Sequence, residues 1–475
     1  MILGLVALGI ALRGVLLLSA LPLDIQSDEA NYIYLALGLE NFGLYLDQQR
    51  YLWPPAYPWL LARAIGMFGP EGLDAVRWLQ VAASGVVGGT TMLFAWRLFS
   101  RRAALVAGLL WVFHLPLAAY SHLLWNEVFF LALLLPALWH TLRALDVASG
   151  AIGGSITARL LASGALFGAA LYLKEWPLFL LPLLALIIFV RSRQAGVSTA
   201  LQRATLLPLM ALVVTMPWTL RNHEVYGRVI VSGATLGENA YVGLNARYMN
   251  FDLNALRKPR ARKGLAPLEE LSRPAFVAIP SSVGPTEEAG WPRRDDILHP
   301  IDRQKAQLTD ALDYAVEHPA WTVRTRVKKL SDLVTPLSFF TRHEALEGYP
   351  SPGPLTGALR RPLVLFALGL PFLLMLFASA GFFLTLPAGS GRDIVTAVVV
   401  YVLATSLLVA MSRFRVPLEP FLVVLAAGFL SHGPETRSTP RVIGLGVAIV
   451  CLFGLWWVSF PETYEVARMA LGDRG

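Results

Sequence analysis

Charge is scarce in this chain. Only 15% of its 475 residues are Asp, Glu, Lys or Arg and 55% are hydrophobic, against about 25% charged in ordinary soluble domains. A soluble enzyme is excluded on that ground. So is a disordered or fibrous chain, because apolar runs of 18 or more residues recur from the first residue to residue 460. Cysteine is nearly absent: Cys451, alone, lies inside the last apolar run, which rules out an intrachain disulfide and any cysteine-based metal site. No internal repeat of solenoid or transporter type is visible. The N-terminus lacks a basic stretch and a clear small-x-small cleavage site, so residues 1–23 read as a retained first helix rather than a removed signal peptide.

What is present is a series of spans. A helix needs about 20 apolar residues to cross the hydrocarbon core. Eleven candidates follow, at 2–23, 74–99, 103–120, 122–145, 155–173, 176–191, 202–220, 361–387, 392–411, 415–432 and 441–460. The formal charge of +8 then reflects basic loop residues kept on the cytoplasmic side, not a nucleic-acid partner. Arg97, Arg101, Arg102, Arg143, Arg159, Arg191, Arg193, Arg203, Arg437 and Arg441 all fall on one side if the spans alternate. That side is the cytoplasm, with the N-terminus inside and the C-terminus outside.

Two long segments face outward. Residues 24–73 read as two short helices along the membrane surface, separated by the breaker Trp53-Pro54-Pro55-Ala56-Tyr57-Pro58. Residues 221–360 read as an external loop or small domain, since 251–350 alone hold 29 of the 72 charged residues. Its centre, from Arg257 to Arg294, has the composition of a flap, whereas Asp302 to Leu333 has helical spacing. The domain reading is therefore an N-terminal transmembrane module over 1–220, the external segment over 221–360 and C-terminal helices over 361–475.

Ionisable groups at membrane depth are costly and tend to serve a function. Those at the span ends are Asp24, Asp28, Glu29, His122, Asn126, Glu127, Lys174, Glu175, Arg221, Asn222, His223, Glu224, Arg413 and Arg415. By alternation every one lands on the outer face. Carboxylates beside Lys and Arg at a bilayer surface suit a phosphate-linked lipid. Arg and Lys hold phosphate oxygens, while a carboxylate removes a proton from an attacking group or holds a divalent cation. The plainer reading stands beside this: Lys and Arg at span ends often snorkel to headgroups, and Asp28 fits a helix cap before Ala30. His122, His223 and His318 have no metal-ligand spacing and read as ordinary hydrogen-bonded residues. Trp53, Tyr57, Trp59, Trp125 and Trp176 read as an interface belt. Arg13, inside the first span, is expected to face the bundle and pair with a carboxylate.

Several landmarks carry a resemblance. They are Ser27-Asp28-Glu29-Ala30, Tyr57-Pro58, Glu127 opening span four, Pro217-Trp218-Thr219-Leu220-Arg221-Asn222, and Ser412-Arg413-Phe414-Arg415-Val416-Pro417 running on to Glu419-Pro420-Phe421. Tyr314-Ala315-Val316-Glu317-His318-Pro319 and Lys328-Lys329-Leu330 add to them. In order and sidedness these resemble the GT-C glycosyltransferases, in the bacterial branch related to protein O-mannosyltransferases and to the lipid A aminoarabinose transferase. The resemblance implies an all-α polytopic membrane protein of about 11 transmembrane helices, with juxtamembrane helices in the first external loop and a large external loop. It implies inverting transfer of a sugar from a polyprenyl-phosphate donor to a lipid, glycan or protein acceptor on the outer face of the plasma (inner) membrane. Asp28 then takes the place of the catalytic carboxylate, with Glu29 beside it and Glu127 as a second acidic position. Lys174, Arg413, Arg415 and Arg221 would hold the donor phosphate, and Asp28 with Glu127 would hold a Mg or Mn ion if one is used. The absence of a MIR-like module or of a soluble segment after span eleven sets the chain apart from eukaryotic-type protein mannosyltransferases. The rival reading is a transporter or flippase of a lipid-linked or anionic solute, against which the clustering of ionisable groups on one face argues, since alternating access uses a midplane site.

Overall fold

The structure, a computed structural model, describes residues 1–20, 25, 28–43, 45, 52–244, 300–346, 356–410, 412–433 and 438–471. Among these residues regular structure is helical, and the one extended pairing is an isolated antiparallel bridge between Leu52 and Ala234. Parts of both expected external segments, including Asp24, Ser27 and the stretch from Arg257 to Arg294, lie outside the described residues.

The N-terminal half runs α1 (Ile2–Ala20), α2 (Asp28–Phe42), α3 (Ala56–Phe68), α4 (Gly72–Leu98), α5 (Arg101–Val112), α6 (Leu115–Ala119), α7 (Glu127–Ala148), α8 (Ile156–Leu171), α9 (Leu180–Ser192) and α10 (Val197–Tyr226). Then come α11 (Leu236–Leu244), α12 (Pro300–Glu317), α13 (Pro319–Val334) and α14 (Phe339–Leu346). Four more close the chain: α15 (Thr356–Ala380), continued by a π turn over Gly381–Thr385, α16 (Ser390–Ser406), α17 (Glu419–His432) and α18 (Thr439–Ala470). Among the described residues helix overlaps each of the eleven expected spans, but only seven helical stretches are long and apolar enough to cross a membrane.

Local chemistry explains the boundaries. Ser100 and Ser155 cap α5 and α8 by accepting the N–H of Ala103 and Ala158, each at 3.2 Å. Gly227, at φ 66°, ends α10 in the left-handed region. Hence α10 runs six residues past the expected end of span seven, and Arg221, Asn222 and His223 stand on a helix. The expected span 103–120 is broken. Pro116 has no N–H to give an unbroken helix, and His114 restarts the chain by accepting the Leu117 N–H at 3.1 Å. The 12 residues of α5 rise only about 18 Å, short of the roughly 30 Å hydrocarbon core.

Packing is close where residues are small. On α8, a Cβ at Gly164 would lie 2.5 Å from the Leu207 carbonyl oxygen, and one at Gly168 would lie 2.9 Å from that of Ala211. Glycines four apart thus let α8 and α10 touch backbone to backbone. Across the centre, Phe94 of α4 stands edge-on to Phe421 of α17 at 5.3 Å and to Trp139 of α7 at 5.5 Å. Several expected belt aromatics are instead interior. Tyr57, Trp53 and Trp125 are buried, because α2 folds onto α3 and sets Tyr32 against Trp53 at 4.1 Å and Tyr57 at 4.8 Å.

Charges gather at the two ends of the bundle. Arg97 and Arg143, near the ends of α4 and α7, meet Asp146 at 2.5 and 3.1 Å, and Arg191, near the end of α9, meets Asp393 near the start of α16 at 2.6 Å. Glu127 opens the 22-residue α7, which at about 1.5 Å per residue puts it roughly 30 Å from Asp146. Arg13 has no carboxylate partner among the described residues. Its guanidinium donates to the carbonyls of Gly9 and Trp111 at 3.1 and 3.0 Å and stacks 4.1 Å over the Trp111 ring, which satisfies a buried cation without an anion.

Candidate active site

Four charged side chains from four separated stretches of chain meet at the N-terminal end of α7. Glu127 is fully buried. Its Oε1 accepts from Lys174 Nζ at 2.8 Å and from Arg413 Nε at 2.5 Å. Arg413 also donates from Nη1 to Asp28 Oδ2, so one guanidinium bridges the two carboxylates. Its flat face lies 3.9 Å over the Trp125 ring. Asp28 stands at the start of α2, Lys174 in the turn after α8, and Arg413 in the 3-10 turn Ser412–Arg415 before α17. The cluster pairs two anions with two cations, which is what a buried charge requires.

The surroundings tune these groups. Burial pushes the Lys174 ammonium below its ordinary range, with Glu127 pulling the other way. Burial also works against the charge on Arg413, but Glu127 and Asp28 outweigh it and raise its basicity further. The Glu175 carboxyl, next in sequence to Lys174, is raised by burial, although it accepts hydrogen bonds from the hydroxyl and the N–H of Thr235. Glu175 thereby ties the turn of Lys174 to the segment between α10 and α11.

The remaining expected residues lie elsewhere. Arg415, two positions from Arg413, is buried in a separate network. Its Nε pairs with Glu419 at 2.7 Å, and its Nη1 donates to the carbonyls of Leu333 and Thr335, both at 2.8 Å. His114 Nδ1 accepts a backbone N–H, so Nε2 carries the proton and donates it to Glu419 at 3.2 Å. Glu29 is also interior. It accepts the Leu124 N–H at 2.6 Å and faces Arg77 at 3.8 Å, while Arg77 and Gln80 hold the carbonyls of Ser121, His122 and Leu123. These contacts fix the turn that delivers Trp125 and Glu127. Arg221 lies among Trp218, Tyr226 and Tyr45 at 4.9, 5.6 and 5.7 Å, where cation–π contacts hold it.

Sequence reasoning did not single out Trp125 as the platform of Arg413, nor Arg342, which donates to Ser412 Oγ at 3.0 Å and pairs with Glu462 at 3.0 Å. The nearness of Trp125 to Glu127 was a usable signal for the first. Nothing local marks the second.

The expected Mg or Mn ion fits poorly. Among the described residues no three His, Cys, Asp or Glu side chains converge as ligands, and the Arg413 guanidinium stands between Asp28 and Glu127, where a bridging cation would sit.

Residues 53–220 match the family described as dolichyl-phosphate-mannose-protein mannosyltransferase. Among solved structures, the chain is similar to the oligosaccharyltransferase of Archaeoglobus fulgidus tethered with an acceptor peptide, at 13% identity and a TM-score of 0.50, over 100% of this chain and 55% of that one. It therefore spans about half the length of that relative. ArnT from Cupriavidus metallidurans bound to undecaprenyl phosphate matches at 18% identity and a TM-score of 0.36, over 90% of this chain and 78% of that one. Its apo form matches at 16% identity and the same TM-score, over 99% and 78%. No curated protein sequence matches the chain. Among its described residues the chain is an all-helical, multi-pass membrane protein that shares its fold with that archaeal oligosaccharyltransferase, and only residues 53–220 match the mannosyltransferase family model.

Proposed function

We propose that the chain is an inverting glycosyltransferase that moves a sugar from a polyprenyl-phosphate donor to a lipid, glycan or protein acceptor on the outer face of the plasma membrane. The observation that carries this reading is the Asp28–Arg413–Glu127–Lys174 cluster. A carboxylate suited to take a proton there shares one guanidinium with a site suited to take a phosphate.

The chemistry follows from that sharing. A donor phosphate competes with Asp28 for Arg413, and Lys174 adds a second cation on the same side. Once Arg413 turns to the phosphate, Asp28 is released to accept the proton of the acceptor hydroxyl or amine. The acceptor atom bonds to the anomeric carbon from the face opposite the phosphate. The carbon–oxygen bond to the phosphate breaks, and the polyprenyl phosphate leaves with the electron pair, its charge met by Arg413 and Lys174. Glu127, held between both cations, keeps them in place. No step passes through a metal ion, and chelation should leave turnover unchanged.

The test is sugar release from radiolabelled polyprenyl-phosphate sugars by the purified full-length protein in lipid. Transfer by wild type, its loss in Asp28→Asn with folding retained, and indifference to a chelator are the expected results. If no polyprenyl-phosphate or polyprenyl-diphosphate donor is consumed while sealed vesicles show solute flux, the transporter reading replaces this one.

A further inference from the structure

Three consecutive side chains at the opening of α7 each carry a buried polar atom with no partner among the described residues: Trp125 Nε1, Asn126 Oδ1 and Glu127 Oε2. Leaving such an atom unsatisfied typically costs about 1–3 kcal/mol, so three in a row at a reaction site mark a place where something else makes the bonds. Their other contacts put them at one spot. Asn126 gives its amide N–H to the Leu173 carbonyl, which fixes Oδ1 as the free acceptor, and Glu127 Oε1 holds Lys174, the next residue along. Trp125 lies under Arg413, which binds the same Glu127 oxygen.

The chemistry of the set is specific. It offers one donor and two acceptors, one of them a carboxylate oxygen. A phosphate has only acceptors and negative charge, so it suits Arg413 and Lys174 but not Asn126 Oδ1 or Glu127 Oε2. A ring carrying neighbouring hydroxyls, or a hydroxyl and an amine, both donates and accepts. We infer that Trp125, Asn126 and Glu127 form the sugar-recognising edge of the site, reading the hydroxyls of the transferred ring while Arg413 and Lys174 hold the phosphate beside it. This rests on the donor reading above. All three residues are at most 2% exposed, so the ring meets them from the Arg413 side, as the guanidinium turns from Asp28 to the phosphate.

The test separates ring from phosphate. Wild type, Asn126→Ala and Trp125→Phe proteins in lipid are titrated with polyprenyl-phosphate hexose, with polyprenyl-phosphate pentose and with sugarless polyprenyl phosphate. Wild type should bind one sugar-bearing lipid more tightly than the sugarless one. Asn126→Ala should weaken that binding by about five-fold, the loss of one hydrogen bond, and leave the sugarless lipid unchanged, and Trp125→Phe should weaken the sugar-bearing lipid more than the sugarless one. Trp125→Phe keeps a ring under Arg413 and carries the test if Asn126→Ala does not fold. Equal weakening for all lipids, no change for any, or no wild-type preference for a sugar-bearing lipid overturns the inference. Failure of wild type to bind any of the three lipids counts instead against the donor reading.

Discussion

Arg413 and Arg415 are two residues apart, both basic and both at the same end of the bundle, yet their surroundings differ. Arg413 is stacked on Trp125 and shared between two carboxylates, so Arg413→Ala should cut turnover by about 100-fold or more, the usual cost of removing one preorganised stabiliser of developing charge, with little loss of fold. Arg415 neutralises Glu419 and holds the carbonyls of Leu333 and Thr335. Arg415→Ala strands a buried carboxylate and should cost about 3–5 kcal/mol of stability, seen as a lower melting temperature before any change in turnover of the folded fraction. If both variants lose turnover at wild-type stability, Arg415 grips the donor after all. Lys174 makes a second prediction at this scale. Its ammonium must be charged to meet phosphate, and burial lowers its pKa. Activity should therefore fall on an alkaline limb that begins below the ordinary lysine range of about 10.4, and Lys174→Arg should move that limb upward in a pH profile of turnover. That Asp28, Glu127, Lys174 and Arg413 share one end of the bundle was legible from counting spans. The division of labour between Arg413 and Arg415 was not, because it depends on carbonyls about 80 residues away that leave no mark on the local sequence.

Helices were the most legible elements, since an apolar run of membrane length has few other ways to satisfy its backbone. What the runs did not disclose is where a helix stops inside an apolar stretch. The break between α5 and α6 depends on Pro116 and on the His114 ring turning back to cap Leu117, and an apolar count passes over both. Nor did the runs disclose which small residues are contacts. The Trp111 ring of α5 lies against α1 and α4: a Cβ at Gly9 would come 2.0 Å from it and one at Gly88 2.5 Å. The same tryptophan carries Arg13 on its face and on its carbonyl, and His122 bonds the Arg13 carbonyl at 2.9 Å, so α1 is tied to the bundle around Arg13 and Trp111. Gly9→Ala should lower stability by about 1–3 kcal/mol through overpacking, even though alanine favours a helix. Gly4→Ala, with nothing within 4 Å of the added carbon, should be neutral or slightly stabilising. Thermal melting of both in lipid checks this, and equal melting temperatures would mean that α1 is held by length and apolarity alone.

For the whole molecule, the two ends of the bundle are chemically unlike. At one end Arg97, Arg143, Asp146, Arg191 and Asp393 form plain ion pairs between helix termini, which staple α4 to α7 and α9 to α16. At the other, the charges are gathered around a guanidinium shared by two carboxylates, with α2, α3 and the helices α11 to α14 on the same side. Such asymmetry fits chemistry done at one membrane face, and the positive-inside rule, applied to the short connections that carry Arg97, Arg101, Arg102, Arg191 and Arg193, predicts that the plain end is cytoplasmic. Orientation is thus a prediction of the whole fold, and one labelling experiment decides it. With Cys451, which is exposed, first replaced by serine, Glu71→Cys stands just before α4 at the active-site end and Gln194→Cys just after α9 at the other. Both native residues are exposed. A membrane-impermeant maleimide added to intact cells should modify Glu71→Cys readily and Gln194→Cys only after permeabilisation. The reverse pattern would turn the site toward the cytoplasm, so that Asp28 and Arg413 would face a donor presented on the inner leaflet and the acceptor would have to be a cytoplasmic one.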